Sequence, residues 1–329
     1  METLLPFEKR DFKIHVKKNA VSNPAYGKKP EERNVAELIN YGIINLNKFS
    51  GPSSHQISDY VQKILGIEKA GHSGTLDPHV TGVLPIALDK ATRIVEVLLK
   101  AGKEYVALMH IHKEIDEDVV RKVIEKEFIG KIQQLPPIRS AVKRQLRERE
   151  IYYLEIIEID GQEVLFKVGC QAGTYIRKIC HDIGLKLNTG AHMVQLVRTK
   201  AGPFQYADWK SLHDLKDAYE DYKDGKEEGI RKVILPIEKA VEHLPKVWVV
   251  DNCVDSLCHG ADLSIPGIAK FNDFYEDEII AIMTLKNELI SLGIAVEDSE
   301  KIMKKDKGRV VKNHKVFMGR KVYPGFKQR

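Results

Sequence analysis

The densest grouping of chemically capable residues in this 329-residue chain is Gly71-His72-Ser73-Gly74-Thr75-Leu76-Asp77-Pro78-His79-Val80-Thr81-Gly82-Val83-Leu84-Pro85. Its glycines and prolines exclude a regular helix and require a stiff, irregular loop. Asp77 precedes Pro78, which biases its backbone toward an extended conformation that can project the carboxylate. On composition alone the segment is a turn whose aspartate accepts local hydrogen bonds; held out into a cleft, the same carboxylate is available for acid–base or nucleophilic chemistry. Other groupings are weaker. His110 and His112 lie two apart on a strand pattern, and Cys253, Cys258 and His259 cluster elsewhere, but neither set has zinc-finger spacing, so no metal is expected. Pro136 to Arg149 carries five basic residues, Arg139, Lys143, Arg144, Arg147 and Arg149, ahead of a strand pattern. Such a run is ordinarily a solvated face and otherwise a grip on phosphate.

These residues need elements to position them. In Ser53-Ser54-His55-Gln56 a serine is followed three residues later by glutamine, a capping box; Ile57, Tyr60, Val61, Ile64 and Leu65 then make one apolar face that stops at Gly66. A second helix is predicted over Thr92–Leu99, and Lys103–His112 alternates as a strand that carries Tyr105. Asp116 is positioned to cap a helix with the face Val119, Val120, Val123, Ile124 and Phe128. Ile151–Ile159 and Val164–Cys170 are strand-like runs joined around Asp160-Gly161, a hairpin signal. Thr174 is expected to cap a helix with Ile176, Ile179, Ile183 and Leu187 inside, which leaves Arg177 in its first turn; His192–Lys200 reads as another strand. Strands and helices without a βαβ rhythm point to an α+β fold.

Composition sets the frame. Apolar residues at 43% can fill two cores over this length, and 52 Lys and Arg against 47 Asp and Glu leave a mildly basic chain. Four cysteines, Cys170, Cys180, Cys253 and Cys258, form no disulfide framework. The N-terminus turns charged within eight residues, unlike a signal peptide, and no apolar run is long enough to span a membrane, so a soluble, cytoplasmic protein is expected. The first 35 residues read as an extended arm, residues 36–244 as a mixed domain ending in a charged helical connector, and residues 245–325 as a small β-rich domain.

The Gly71–Pro85 segment closely resembles the catalytic-aspartate motif of the TruB and dyskerin group of pseudouridine synthases, roughly G-H-x-G-[TN]-L-D-P-x-x-[TS]-G-x-L-P. Three further segments are similar to the same family in the same order: Lys103-Glu104-Tyr105, Gly173-Thr174-Tyr175-Ile176-Arg177 and Leu196-Val197-Arg198-Thr199-Lys200-Ala201-Gly202-Pro203-Phe204. The resemblance implies Asp77 as catalytic carboxylate, Tyr105 as the aromatic platform for the target base and Arg177 as the partner of the carboxylate. It further implies that His72 places the nucleotide, that Tyr175 packs beside the aspartate and that Leu196 walls the uracil pocket. It implies a mixed, largely antiparallel-sheet catalytic domain that isomerises a flipped-out uridine with no cofactor. One departure stands out: where the family opens with K-P-x-G, this chain reads Lys48-Phe49-Ser50-Gly51, lacking the proline.

Two segments select a branch. Pro136-Pro137-Ile138-Arg139-Ser140-Ala141-Val142-Lys143-Arg144 resembles the thumb loop of archaeal dyskerin-like enzymes, which implies that Arg139, Lys143, Arg144 and Arg147 grip RNA. Val241–Trp248 and His259–Ile268 resemble a PUA domain, implying RNA contacts at His259, Gly260, Ala261, Pro266 and Gly267. The basic N-terminal arm is expected to join that domain. By resemblance, the partners are an H/ACA guide RNA, its target rRNA, a small zinc-ribbon protein, a Gar-type β-barrel protein and a ribosomal-type kink-turn binder. A stand-alone tRNA pseudouridine synthase and a non-catalytic RNA-binding scaffold are the alternatives.

Overall fold

The computed structural model describes residues 3–136 and 143–325. They divide into two compact units that interleave along the chain: residues 3–9, 44–87 and 92–233 in the first, and residues 10–43, 88–91 and 234–325 in the second. The arm is therefore not one piece. Strand β1 (Ile14–Val16) and helix α1 (Val35–Tyr41) belong to the second unit. Residues 3–9 belong to the first, because Leu5 is fully buried and the Glu8 carboxylate accepts from Lys200 Nζ at 2.9 Å.

In the first unit β2 (Gly42–Lys48), which belongs to it from Ile44 onward, leads into α2 (Ser54–Leu65), whose Ser53 cap accepts from Gln56 N and whose end falls on Gly66 in the left-handed region at φ 65°. There follow β3 (Ala70–His72), β4 (Thr81–Leu88), α3 (Val95–Lys100) and β5 (Lys103–Ile111). The predicted Thr92–Leu99 helix is half 3₁₀: Asp89–Ile94 forms 3₁₀ turns and only the remainder is α. Next come α4 (Glu117–Glu127), capped by Asp116, then β6 (Gly130–Gln134), β7 (Arg147–Asp160), β8 (Glu163–Cys170), α5 (Ile176–Lys186) and β9 (Ala191–Ala201). β10 (Phe204–Gln205), α6 (Leu212–Lys223) and α7 (Glu228–Val233) complete it.

The sheet of this unit runs β2-β4-β9-β5-β8-β7-β6. β4 pairs β9 in parallel, whereas β9–β5, β5–β8, β8–β7 and β7–β6 are antiparallel. Behind it, Val120, Ile124 and Phe128 of the α4 region and Ile176, Ile179 and Ile183 of α5 pack with Ala107, Met109, Phe166 and Val168. Val119, expected on the same face, is 41% exposed, since Val120, Val123 and Ile124 already fill the stripe.

Strand β11 (Leu235–Pro236) pairs with Gly42–Ile43 in the second unit. There β12 (Lys246–Val249), α8 (Asp251–Cys258), β13 (Leu263–Ser264), β14 (Ile268–Asn272), β15 (Ile279–Thr284), β16 (Leu289–Ala295), α9 (Glu300–Lys304) and β17 (Arg309–Val316) follow. The sheet order is β1-β14-β12-β15-β16-β17-β13, with arm residues Ile14, His15 and Val16 opposite Asn272, Phe271 and Lys270. Its core is built from Val247, Leu257, Ile265, Phe271, Ile282, Ile290 and Val310.

Candidate active site

Asp77 sits where the loop between β3 and β4 crosses beneath the start of α2, and side chains hold the loop on both sides of it. Ser54 Oγ donates to Leu76 O at 3.1 Å and accepts from Leu76 N at 2.9 Å. On the far side Lys48, 0% exposed, donates from Nζ to the carbonyls of Phe49, Pro78 and Val80 at 3.0, 2.8 and 2.8 Å. Burial lowers the Lys48 ammonium from its usual range. Gly51 N also donates to Pro78 O and Val80 N to Asp77 O, each at 3.0 Å. The absent proline at position 49 leaves this clamp intact, because the lysine and the Gly51 amide supply the contacts.

The aspartate itself stays accessible, at 52% exposure, and Arg177 Nη2 donates to its Oδ2. Arg177 occupies the first turn of α5, delivered by a backbone clamp: Gln134 on β6 accepts from Tyr175 N at 3.0 Å and donates to Tyr175 O at 3.2 Å. Arg149 Nε donates to Gly173 O at 3.2 Å. Thr174 does not cap the helix as expected. Its hydroxyl donates to Gln171 O at 2.7 Å, tightening the preceding turn, and Tyr175 takes the cap position.

Tyr105 lies opposite Arg198 across β5–β9, because a bulge between Glu104 and Tyr105 resets the register there; Ala107 pairs with Leu196 two residues on. Tyr105, Leu196 and Arg198 therefore share one face of the sheet. Next to Tyr105, Lys103 is buried and donates to the carbonyls of Leu98, Leu99 and Ala101 at 2.8, 2.9 and 2.7 Å, capping α3, while burial pushes its ammonium down to about 7. Buried Glu104 accepts from Tyr153 at 2.5 Å and from Thr199 at 2.7 Å. His72, at the end of β3, meets His55 edge-on at 4.8 Å between ring centroids, and its buried Nδ1 has no hydrogen-bond partner. Burial, with His55 and Arg198 nearby, holds its pKa below the usual imidazole range, so it is neutral at pH 7.

Gly82 explains one motif glycine. It pairs with Arg198 at φ 110°, and a Cβ there would lie 2.2 Å from Arg198 O. Sequence reasoning missed Ser54, Gln134, Arg149 and Arg198 as supports of the site. The available signal was charge inside strand patterns that otherwise bury apolar side chains, as at Lys48 and Arg198.

Of the basic loop, Lys143 and Arg144 are exposed, Arg147 opens β7 with Nη2 3.4 Å from Lys143 O, and Arg139 lies outside the described residues. In the second unit His259 ends α8, its Nδ1 2.8 Å from Asp255 O; Gly260, at φ 91°, and Ala261 are exposed. Pro266 and Gly267 form a 3₁₀ turn packed on Cys253. Asn313 Nδ2 holds this rim by donating to Leu257 O and Ala261 O, each at 3.0 Å. Among the described residues no group of three or more His, Cys, Asp or Glu side chains is arranged to hold a metal ion, and no helix is long and apolar enough to cross a membrane.

Comparison with known proteins matches residues 62–176 to the TruB family pseudouridylate synthase N-terminal domain, 177–242 to the tRNA pseudouridylate synthase B C-terminal domain, 245–317 to the PUA domain and 3–58 to the DKCLD domain. A protein of Pyrococcus abyssi named "Probable tRNA pseudouridine synthase B" is 54% identical over 308 residues, covering 93% of this chain and 92% of the relative. The chain belongs to the TruB pseudouridine synthase family. It resembles the archaeal dyskerin-like members with a PUA domain. Two solved structures superpose on nearly all of the TruB-family chain. One is described as "Structure of H/ACA RNP bound to a substrate RNA containing 2'-deoxyuridine", with 50% identity, a TM-score of 0.92 and coverage of 98% of this chain and 99% of that one. The other is "Crystal Structure of a Cbf5-Nop10-Gar1 Complex", with 53% identity, a TM-score of 0.93 and 98% coverage of each.

Proposed function

We propose that this chain is the catalytic subunit of an H/ACA ribonucleoprotein, converting guide-selected uridines of rRNA to pseudouridine. The observation that carries the reading is Asp77: an accessible carboxylate on a loop fixed from both sides and paired with Arg177. In the reaction the C1′–N1 bond breaks, the uracil turns, a C1′–C5 bond forms, the C5 proton leaves and N1 gains one. Nothing is oxidised, so the residues need only place, stabilise and move protons.

In this reading Asp77 is the catalytic carboxylate, and Arg177 keeps it ionised by charge pairing and hydrogen bonding. Tyr105 stacks on the extruded base, offsetting a few kcal/mol of lost stacking. Neutral His72 and Tyr175 place the nucleotide, and Leu196 walls it. Arg139, Lys143, Arg144 and Arg147 grip target RNA backbone. His259, Gly260, Ala261, Pro266 and Gly267 receive the guide's end in a second domain spanning 245–325, the chain being divided into an arm of residues 1–35, a catalytic domain of residues 36–244 and this domain. The likeness to chains solved with Nop10 and Gar1 supports a small zinc-ribbon protein and a Gar-type protein as partners; a ribosomal-type kink-turn binder is the third partner of this reading. The compartment is the archaeal cytoplasm.

Curated relatives named for tRNA support a second reading, guide-free action on tRNA. Reconstitution with partner proteins and target RNA, with and without guide, separates the two. Pseudouridine only with guide supports the first, and equal product on bare tRNA supports the second.

A further inference from the structure

Arg198 is 1% exposed, and among the described residues it has no carboxylate partner. An unpaired buried guanidinium is costly unless its donors are met. Here the acceptors are specific. Nε donates to Val83 O at 2.7 Å, Nη2 to Gly74 O at 3.2 Å, and the side chain stands directly opposite Tyr105, its cross-strand neighbour on the β5–β9 pair. Gly74 lies three residues before Asp77 and Val83 six residues after it, so one side chain fastens both ends of the aspartate loop. Its remaining reach goes to the aromatic ring assigned to the target base.

Lys48 and Ser54 hold the same loop through the backbone of Leu76, Pro78 and Val80, whereas Arg198 holds it and also stands opposite Tyr105. Arg198 is the link between the two halves of the site. The Arg198–Tyr105 pairing depends on the bulge beside Tyr105, since without that one-residue offset a different residue of β9 would face the ring. Burial drives the Tyr105 phenol upward and keeps its proton on the oxygen, with the guanidinium acting in the opposite sense.

We propose that Arg198 is a positioning residue of the isomerisation: its planar fork, anchored on the carbonyls of Gly74 and Val83, fixes the Tyr105 side chain that stands opposite it on β5 relative to the Asp77 carboxylate. This rests on the pseudouridine synthase reading above. A planar guanidinium reaches both carbonyls in fixed directions while presenting a flat face or edge to its cross-strand neighbour, which an ammonium on a flexible stem cannot reproduce.

The test is a double-variant cycle on the full chain in its reconstituted complex, comparing wild type, Arg198→Lys, Tyr105→Phe and the double variant. The measurements are single-turnover rate at saturating enzyme, target-RNA Kd, and thermal midpoint. Arg198→Lys should lower the rate about 10- to 100-fold with Kd within about twofold, because misplacement by about an ångström costs that much in the chemical step. The double variant should fall within about threefold of the slower single variant, since both break one link. A rate for Arg198→Lys equal to wild type per folded molecule, or losses that multiply, would overturn the proposal. If Arg198→Lys does not fold, Tyr105→Phe decides alone: it keeps the ring and removes only the hydroxyl, and an unchanged rate overturns the link. An Asp77→Asn control separates the two levels. Product from wild type but not from Asp77→Asn, with normal Arg198→Lys turnover, sinks this proposal alone; no product from wild type, or product from Asp77→Asn, sinks the activity reading and this proposal with it.

Discussion

The Asp77 loop and the 259–267 rim of the second unit are both irregular and both expose the residues expected to meet RNA, yet they are held differently. Around Asp77 the supports are side chains withdrawn from water: Lys48 on three carbonyls, Arg198 on two, Ser54 on a backbone amide and carbonyl. Around Gly260 the supports are chiefly helix-end backbone bonds, with the side chains of Asn313 and Asp262 as braces, the latter accepting from Asn313 N and Arg309. Bond-making chemistry needs reacting groups within fractions of an ångström, which buried cations bonded to backbone carbonyls provide at a cost in desolvation. Holding a nucleic-acid backbone tolerates looser placement, because charge and shape act over a longer range.

The contrast can be broken at its strong end first. Asp77→Ala should abolish pseudouridine formation, on the order of 10⁴-fold or more, with the thermal midpoint unchanged to within a few degrees. Arg177→Ala should cut turnover about 10²- to 10³-fold while leaving RNA binding within about threefold, since its partner is exposed and its removal leaves no buried charge. Lys48→Met should cost about 3–5 kcal/mol in chemical denaturation, because three carbonyls lose their donor together, and turnover should fall with it. Ala261→Glu should weaken guide-RNA binding only about tenfold and leave the chemical step on pre-bound RNA unchanged. The smallest effect concerns Lys103. Its folded pKa, about 7, lies below the unfolded value of 10.5, so the native state holds fewer protons between those limits. Its stability contribution is least favourable below pH 7 and rises with pH up to about 10.5, by on the order of 1–3 kcal/mol with the three capped carbonyls opposing the shift. Melting curves of wild type and Lys103→Met across that range should diverge in slope accordingly.

Much of this architecture is legible in sequence because it is local. The Ser53 capping box, the Gly66 stop, the Asp116 cap and the hairpin after Asp160 depend on neighbours within a few residues, and all four are present. The Thr174 cap failed because a hydroxyl can satisfy the preceding turn as readily as the following helix, and nothing local decides between them. The chemistry proposed for Asp77, Tyr105 and Arg177 is legible only through the ordered family motifs, since no single residue among them departs from an ordinary loop, strand or helix. Least visible are the long-range partners. Gln134 meets Tyr175 41 residues away, and Arg198 meets Gly74 124 residues away, through a sheet register that includes a bulge. The split of the arm between two units also escaped, turning on the burial of Leu5.

The most direct measurement is tritium release from target RNA labelled at C5 of uridine, using the complete complex with wild-type protein and with Asp77→Asn. Guide-dependent release by wild type and none by Asp77→Asn is the predicted result. Release by both proteins would contradict the assignment of Asp77, and release by neither would contradict pseudouridine formation itself.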